Sequence, residues 1–346
     1  MSNDSYQSNN LDLLRLVLAS SVVILHMSHL TALPEIIEIA NAVDWLSSRA
    51  VTSFFIVSGF LIALSFERSK NLKSYFINRI LRLYPAYLFL IVFCACLLFF
   101  VSEVSFNDYF RSDFIRYIFY NLFFLNFVQP TLPGVFSNNI IPIVNGSLWT
   151  LKIEVLFYLF LPVLYYFIKG KSNRWISVFF IFLYVASFAY TELLIFLSDK
   201  FDKQSLIVLS HQLPGQLAYF VSGIAAYKFI DKVRKYYCAL FILTLICFGL
   251  NVSFLEPLAQ MTVICFLFIF TKKLFDYSRI GDISYGVYIF HFPIIQLFVY
   301  FNLNDYIGPY LFVVAVYFTV YFISYLSWWF VEKPSLSLKY KFSKLT

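Results

Sequence analysis

Arg15 and His26 lie eleven positions apart in LDLLRLVLASSVVILHMSH, an otherwise apolar run. On a helix that spacing is about three turns, so both side chains share a face and stand roughly 16 Å apart along the axis. Charged and imidazole groups are expensive in apolar surroundings, which makes them the first place to look for chemistry. An imidazole held there can take the proton of a hydroxyl. The plainer alternatives are an Arg15 that snorkels to headgroups and a His26 that only bonds a neighbouring helix. His29 follows at the outer boundary, where water reaches it.

Arg79 and Arg82, in YFINRILRLYPAY, are one helical turn apart. Two guanidiniums on one face can fork across phosphate oxygens; as a plain alternative they anchor lipid headgroups. Glu154 sits in NGSLWTLKIEVLFYLFLP, about a dozen Å along a helix from Gly146. At comparable depth to His26, this carboxylate can orient the ring and raise its basicity, with Lys152 as a rival partner for it. Ser147, Trp149 and Lys152 flank it as supporting or substrate-positioning candidates. In GDISYGVYIFHFPII, Ser284, Tyr288 and His291 recur at four and three residues and share a face. Ser58, beside Gly59 in FFIVSGFLI, can bond across helices or simply pack. Donors near Ser58, Tyr288 and His291 are candidates to hold an oxyanion. His211 and Gln212, next to Pro214 and Gly215, are candidates for a substrate role at a broken helix.

These groups need apolar elements to hold them, and the composition provides such elements. Hydrophobic residues are 61% of the 346 and charged residues 13%, with mean hydropathy +0.77. Roughly a quarter charged is usual for a soluble domain. The chain reads as an all-α polytopic membrane bundle of about ten spans, at 11–31, 45–66, 80–101, 147–168, 175–197, 204–230, 236–252, 257–275, 282–302 and 308–330. With both termini cytoplasmic, 19 of the 26 basic residues fall on the inner side, the asymmetry that orients membrane proteins. The net charge of +7 is thus accounted for without nucleic acid.

FIRYIFYNLFFLNFV (114–128) is apolar but short, and counting it as a span would invert every later loop. It is expected to lie at the interface or re-enter, within an external region 102–146. Residues 1–10 form a short cytoplasmic start without a signal peptide. The transmembrane domain covers 11–330, and a basic tail, 331–346, lies on the inner leaflet. The five cysteines have no metal or redox spacing and read as small buried hydrophobes. No metal or permanently bound cofactor is expected.

LDLLRLVLASSVVILH, FFIVSGFLI, NRILRLYPAY, GSLWTLKIEVLFYLFLP and ISYGVYIFH, in this order, resemble the motifs of the membrane acyltransferase-3 superfamily. Leu14 stands where glycine-leucine variants are common. The resemblance implies a ten-helix bundle that takes an acyl group, usually acetyl, from cytoplasmic acyl-CoA. It delivers that group to a hydroxyl of an extracytoplasmic glycan or related envelope molecule. It implies His26 as the catalytic histidine, Arg15, Arg79 and Arg82 as donor-binding groups, and Glu154 as the acidic position. Some members carry a fused esterase-like domain, for which this chain has no room, so acceptor recognition falls to the membrane domain, its external loops or a partner. A surface polysaccharide such as O-antigen or capsule is the expected acceptor, in the inner membrane of a bacterium, among membrane lipids. The competing classes are a transporter or glycan flippase, which would show paired, interrupted half-repeats, and a glycan polymerase, which would place its arginines outside.

Overall fold

The computed structural model describes residues 10–269, 271 and 280–342. Among them every regular element is helical. Six helices are long and apolar enough to cross a membrane: Leu11–Thr31, Ala50–Arg68, Leu72–Val101, Gly146–Ile168, Asn173–Phe201 and Pro309–Lys339. The other four expected spans fall on shorter helices, Leu213–Lys228, Tyr237–Leu250, Glu256–Ile269 and Ser284–Tyr300. Residues 1–9, the end of the expected span 257–275, Lys272, Lys273, Arg279 and the last four residues of the tail lie outside the described residues.

Two boundaries depart from expectation for local reasons. The third span was expected from residue 80, yet its helix begins at Leu72. Asn71 caps it, its Oδ1 accepting from the Ser74 N–H at 2.8 Å, as a helix start requires. Arg79 and Arg82 therefore lie two to three turns inside this helix rather than at its mouth. The expected span 204–230 breaks into Gln204–Ser210 and Leu213–Lys228. The break comes just ahead of Pro214, so the proline sits in the first turn of the second piece, where its missing N–H does no harm.

The segment 114–128 holds no helix long enough to cross a membrane. It holds a helix, Ser112–Leu122, of 11 residues, or roughly 16 Å. Tyr117 and Asn121 are buried while Ile115, Phe119 and Phe123 are exposed, which is the one-sided pattern of an interfacial helix.

The chain divides into two compact units, each assembled from separate stretches. The first comprises 1–11, 51–75 and 153–275. In it Ala50–Arg68 and Leu213–Lys228 approach at glycines: a Cβ on Gly59 would strike the Phe220 carbonyl, and one on Gly223 the Ile56 carbonyl. Small residues of this kind let apolar helices touch backbone to backbone. Phe157 stacks on Phe220 with centroids 4.0 Å apart. Near the far end of Ala50–Arg68, Glu67 accepts from Tyr165, Tyr227 and Lys228 at 3.0, 2.8 and 3.1 Å. Asn173–Phe201 turns Val178, Ile181, Phe182 and Phe196 outward, an apolar face suited to lipid.

The second unit comprises 12–50, 76–152 and 276–346. Its centre is Ser284–Tyr300, buried without interruption from Ser284 to Gln296. Pro309–Ser327 lies along it, and Gly286 packs against Ser324. Pro309–Ser327 also meets the first helix, where the Tyr317 hydroxyl donates to the Ser20 carbonyl at 2.7 Å. The region 102–146 is tied to the helix Leu72–Leu97 by tyrosines of both: Tyr87 donates to the Asn121 carbonyl at 2.7 Å and Tyr109 to the Ala95 carbonyl at 2.8 Å. Of the cysteines, Cys94, Cys247 and Cys265 are buried as expected, but Cys96 and Cys238 are exposed.

Candidate active site

The first helix, Leu11–Thr31, and the helix Ser284–Tyr300 meet at two polar points. At one, Arg15 Nη1 lies 2.5 Å from Asp282 Oδ2, and Arg82 joins the same carboxylate oxygen. At the other, His26 Nδ1 lies 2.8 Å from His291 Nε2. Arg15 precedes His26 by eleven residues and Asp282 precedes His291 by nine, so the two helices run in the same direction there. The points are separated by roughly 13–16 Å at 1.5 Å per residue.

Asp282 owes its position to the turn ahead of its helix. Gly281 adopts φ +82°, and a Cβ there would collide with the Trp328 indole. The other carboxylate oxygen, Oδ1, accepts from the Ser284 hydroxyl at 2.5 Å and from its N–H at 3.3 Å, so the side chain is tied to the first residue of the helix. Trp328 also lies over the Arg82 guanidinium, 5.9 Å from its ring centroid. Glu332 is buried nearby, within electrostatic range of Arg15, Arg82 and Asp282, and accepts from Ser327 at 3.2 Å. Two guanidiniums are thus gathered and aimed by carboxylates in a poorly hydrated setting, where charge–charge attraction is strong. Arg79 stands one turn before Arg82, half-buried.

The imidazole pair is enclosed by aromatic rings. His26 stacks on His291 at 5.0 Å between centroids, and Phe292 meets His26 edge-on at 5.3 Å. Gly146 lets the chain entering the helix Trp149–Ile168 lie against the Phe292 ring. His26 is half-buried, whereas His291 is 0% exposed. Only His26 can therefore meet a substrate directly.

The supporting candidates divide. Ser147 is buried, its hydroxyl donating to Asn145 Oδ1 at 2.8 Å, while Asn145 donates to the Ile289 carbonyl at 2.8 Å. The Tyr288 hydroxyl pairs with Thr150 Oγ1 at 2.6 Å. Both therefore fasten the start of Trp149–Ile168 to the His291 helix. Trp149 is half-buried at that helix start, and the Lys152 ammonium lies 4.6 Å over the Phe127 ring. Glu154 and Ser58 belong to the other unit. There Glu154 accepts from the Tyr158 hydroxyl at 2.5 Å, and Ser58 is half-buried beside Gly59. His211 is exposed, and its Nδ1 donates to the Ile207 carbonyl at 2.8 Å, within its own short helix.

Two features were missed in the sequence. Asp282 is the first residue of the expected span 282–302, where a carboxylate reads as an ordinary helix start. The His26–His291 pair was the second: His26 was expected toward the outer side, beside Glu154, and His291 near the midplane.

A family model for an acyltransferase domain matches residues 8–329. The chain is 29% identical over 346 residues to a protein of Shigella phage Sf6 described as an O-acetyl transferase, covering 96% of this chain and 97% of that one. It is 29% identical over 174 residues to nodulation protein 10 of Rhizobium leguminosarum bv. viciae, covering 47% of this chain and 45% of that protein. No solved structure matches the chain.

Proposed function

Because the chain belongs to the acyltransferase-3 family and is a multi-pass membrane acyltransferase, we propose that it is an O-acetyltransferase of a bacterial cytoplasmic membrane. The donor is cytoplasmic acetyl-CoA, and the acceptor is a hydroxyl of an extracytoplasmic glycan such as an O-antigen or a capsular or secreted polysaccharide. Similarity along nearly the whole chain to a phage O-acetyl transferase supports acetyl as the group moved. Ten crossings with both termini inside complete the reading, supported by the one-sided distribution of basic residues.

The observation that carries it is the double contact between two parallel helices. A cationic cluster, Arg15 with Arg82, stands at one point and the His26 pair at the other. The spacing suits a donor with phosphates at one end and a reactive thioester at the end of an extended arm. Arg79 and Arg82 receive the phosphates and Arg15 the approach to the arm. His26 takes the proton of the acceptor hydroxyl, whose oxygen attacks the thioester carbonyl. The C–O bond forms, the C–S bond breaks, and the proton passes from His26 to the leaving CoA thiolate. The transporter and flippase alternative has no such need for a thioester donor, and the family match favours the enzyme.

The test uses the full chain in inverted membrane vesicles given acetyl-CoA labelled in the acetyl group. Label is expected to appear on the lumenal glycan, and His26→Ala is expected to reduce it by on the order of a hundredfold or more while the protein stays in the membrane. Undiminished labelling by the variant would overturn the assignment of His26.

A further inference from the structure

The proton on His26 can be placed from the hydrogen bonds around it. His291 Nδ1 lies 3.1 Å from the Val287 carbonyl oxygen. A carbonyl can only accept, so Nδ1 of His291 carries a hydrogen. A neutral imidazole has one N–H, which leaves His291 Nε2 as a lone pair. That nitrogen is 2.8 Å from His26 Nδ1, so the hydrogen between them must belong to His26. With its single proton on Nδ1, His26 presents an unprotonated Nε2.

We propose that His291 is a positioning residue: it fixes His26 in the tautomer whose free Nε2 takes the acceptor's proton. The inference rests on His26 being the base, and it deepens that reading by naming what orients it. On this view the orienting role expected of Glu154 falls to His291, because the Nδ1 proton is already committed. The expected oxyanion role for His291 is likewise replaced, since its Nε2 accepts and its Nδ1 donates to its own helix.

The surroundings suit such a relay. Val287 and His291 are one turn apart on Ser284–Tyr300, so the last acceptor is part of the rigid backbone that carries the ring. His291 is wholly buried, which keeps water from competing for Nε2. Phe292 meets the His26 ring edge-on, limiting its rotation away from its partner. An imidazole in this place brings no negative charge into an apolar core, where a carboxylate would be expensive to hold. During transfer the proton of the acceptor binds His26 Nε2, and the Nδ1–H bond to His291 persists. Once Nε2 has delivered the proton to the thiolate, the starting tautomer is restored.

Two measurements test this. The first is nitrogen-15 NMR of the histidine-labelled full chain in bilayers, where the four histidines are assigned by replacing His29, His211 and His291 one at a time. His26 is expected to show a protonated Nδ1 and an unprotonated Nε2, and His291 a protonated Nδ1. A His26 protonated at Nε2 overturns the proposal even if acetyl transfer proceeds as expected. The second compares His291→Gln, whose carboxamide oxygen can accept near the position of Nε2, with His291→Leu, which cannot accept. The leucine variant is expected to lose kcat by on the order of a hundredfold with KM for acetyl-CoA unchanged, and the glutamine variant to recover most of it. Equal loss in both, or a change confined to KM, overturns the positioning role. Failure of the His26 assignment would show separately, as activity retained by His26→Ala whatever the tautomer.

Discussion

Arg15 Nη1 and Asp282 Oδ2 lie 2.5 Å apart across 267 positions of sequence. The carboxylate also holds Arg82, and the three side chains are only 14–19% exposed. Removing Asp282 leaves two guanidiniums in a setting that hydrates them poorly. Asp282→Ala is expected to cost about 2–4 kcal/mol, toward the lower end of what breaking a buried pair costs, because some solvent reaches the group. Arg15→Ala combined with Asp282→Ala should cost less than the sum of the single changes, by about 1–3 kcal/mol. The measurement is a double-mutant cycle in thermal or denaturant unfolding of detergent-solubilised protein. Strict additivity would show that the pair contributes no coupling.

The arginine pair gives a kinetic prediction. If Arg79 and Arg82 hold the donor's phosphates, Arg82→Ala raises KM for acetyl-CoA about tenfold or more, the value of a charged hydrogen bond. Arg82→Lys should recover little of it, since an ammonium cannot fork across two oxygens as a guanidinium can. Initial rates across acetyl-CoA concentrations decide the matter. An unchanged KM in the alanine variant would remove Arg82 from the donor site.

Much of this arrangement was legible before any coordinates. Helix Leu11–Thr31 was read to the residue, because a mainly apolar run of this length admits one reading. Arg15, Arg82 and His26 were singled out because charge and imidazole are costly in apolar surroundings. The start of the third span at Leu72 was harder: the polar residues of NLKSYFINR mask a helix whose cap is a single asparagine. The pairing of His26 with His291 could not be read from depth alone. Depth puts two side chains at one level, but which helices are neighbours is decided by packing, and the sequence held Glu154 as an equal claimant. Asp282 was overlooked because it stands at a segment end, where a carboxylate reads as an ordinary helix start.

Gln296 holds the stretch 139–143 to the central helix. It is wholly buried, and its Nε2 donates to the Ile141 and Ile143 carbonyls at 2.6 and 2.7 Å. Asn139 returns a bond to its Oε1 at 2.8 Å. Gln296→Leu keeps the volume but takes the side-chain donor from the Ile143 carbonyl, at about 1–3 kcal/mol, while the Ile141 carbonyl keeps the Ile143 N–H at 2.8 Å. The segment 129–145 should then open more often, and buried Phe136 should be cut faster by chymotrypsin. Equal cleavage rates in the variant and the parent chain would mean that the loop is held by other contacts.

The glycine crossing supplies a prediction with an internal control. A Cβ on Gly223 would meet the Ile56 carbonyl, and one on Gly59 the Phe220 carbonyl, and neither backbone oxygen can swing aside as a side chain would. Gly223→Val must push Leu213–Lys228 away from Ala50–Arg68, loosening the Phe157–Phe220 stack beside it. Overpacking of this kind costs about 1–3 kcal/mol, and more where backbone meets backbone. Gly249 has nothing within 4 Å of its Cβ position. There Gly249→Ala should be neutral or stabilising by about 0.5–1 kcal/mol, through the helix preference alone. The unfolding midpoint should therefore fall in Gly223→Val and hold or rise in Gly249→Ala. If Gly223→Val unfolds no earlier than the parent chain, the two helices are not in backbone contact, and the close crossing is wrong.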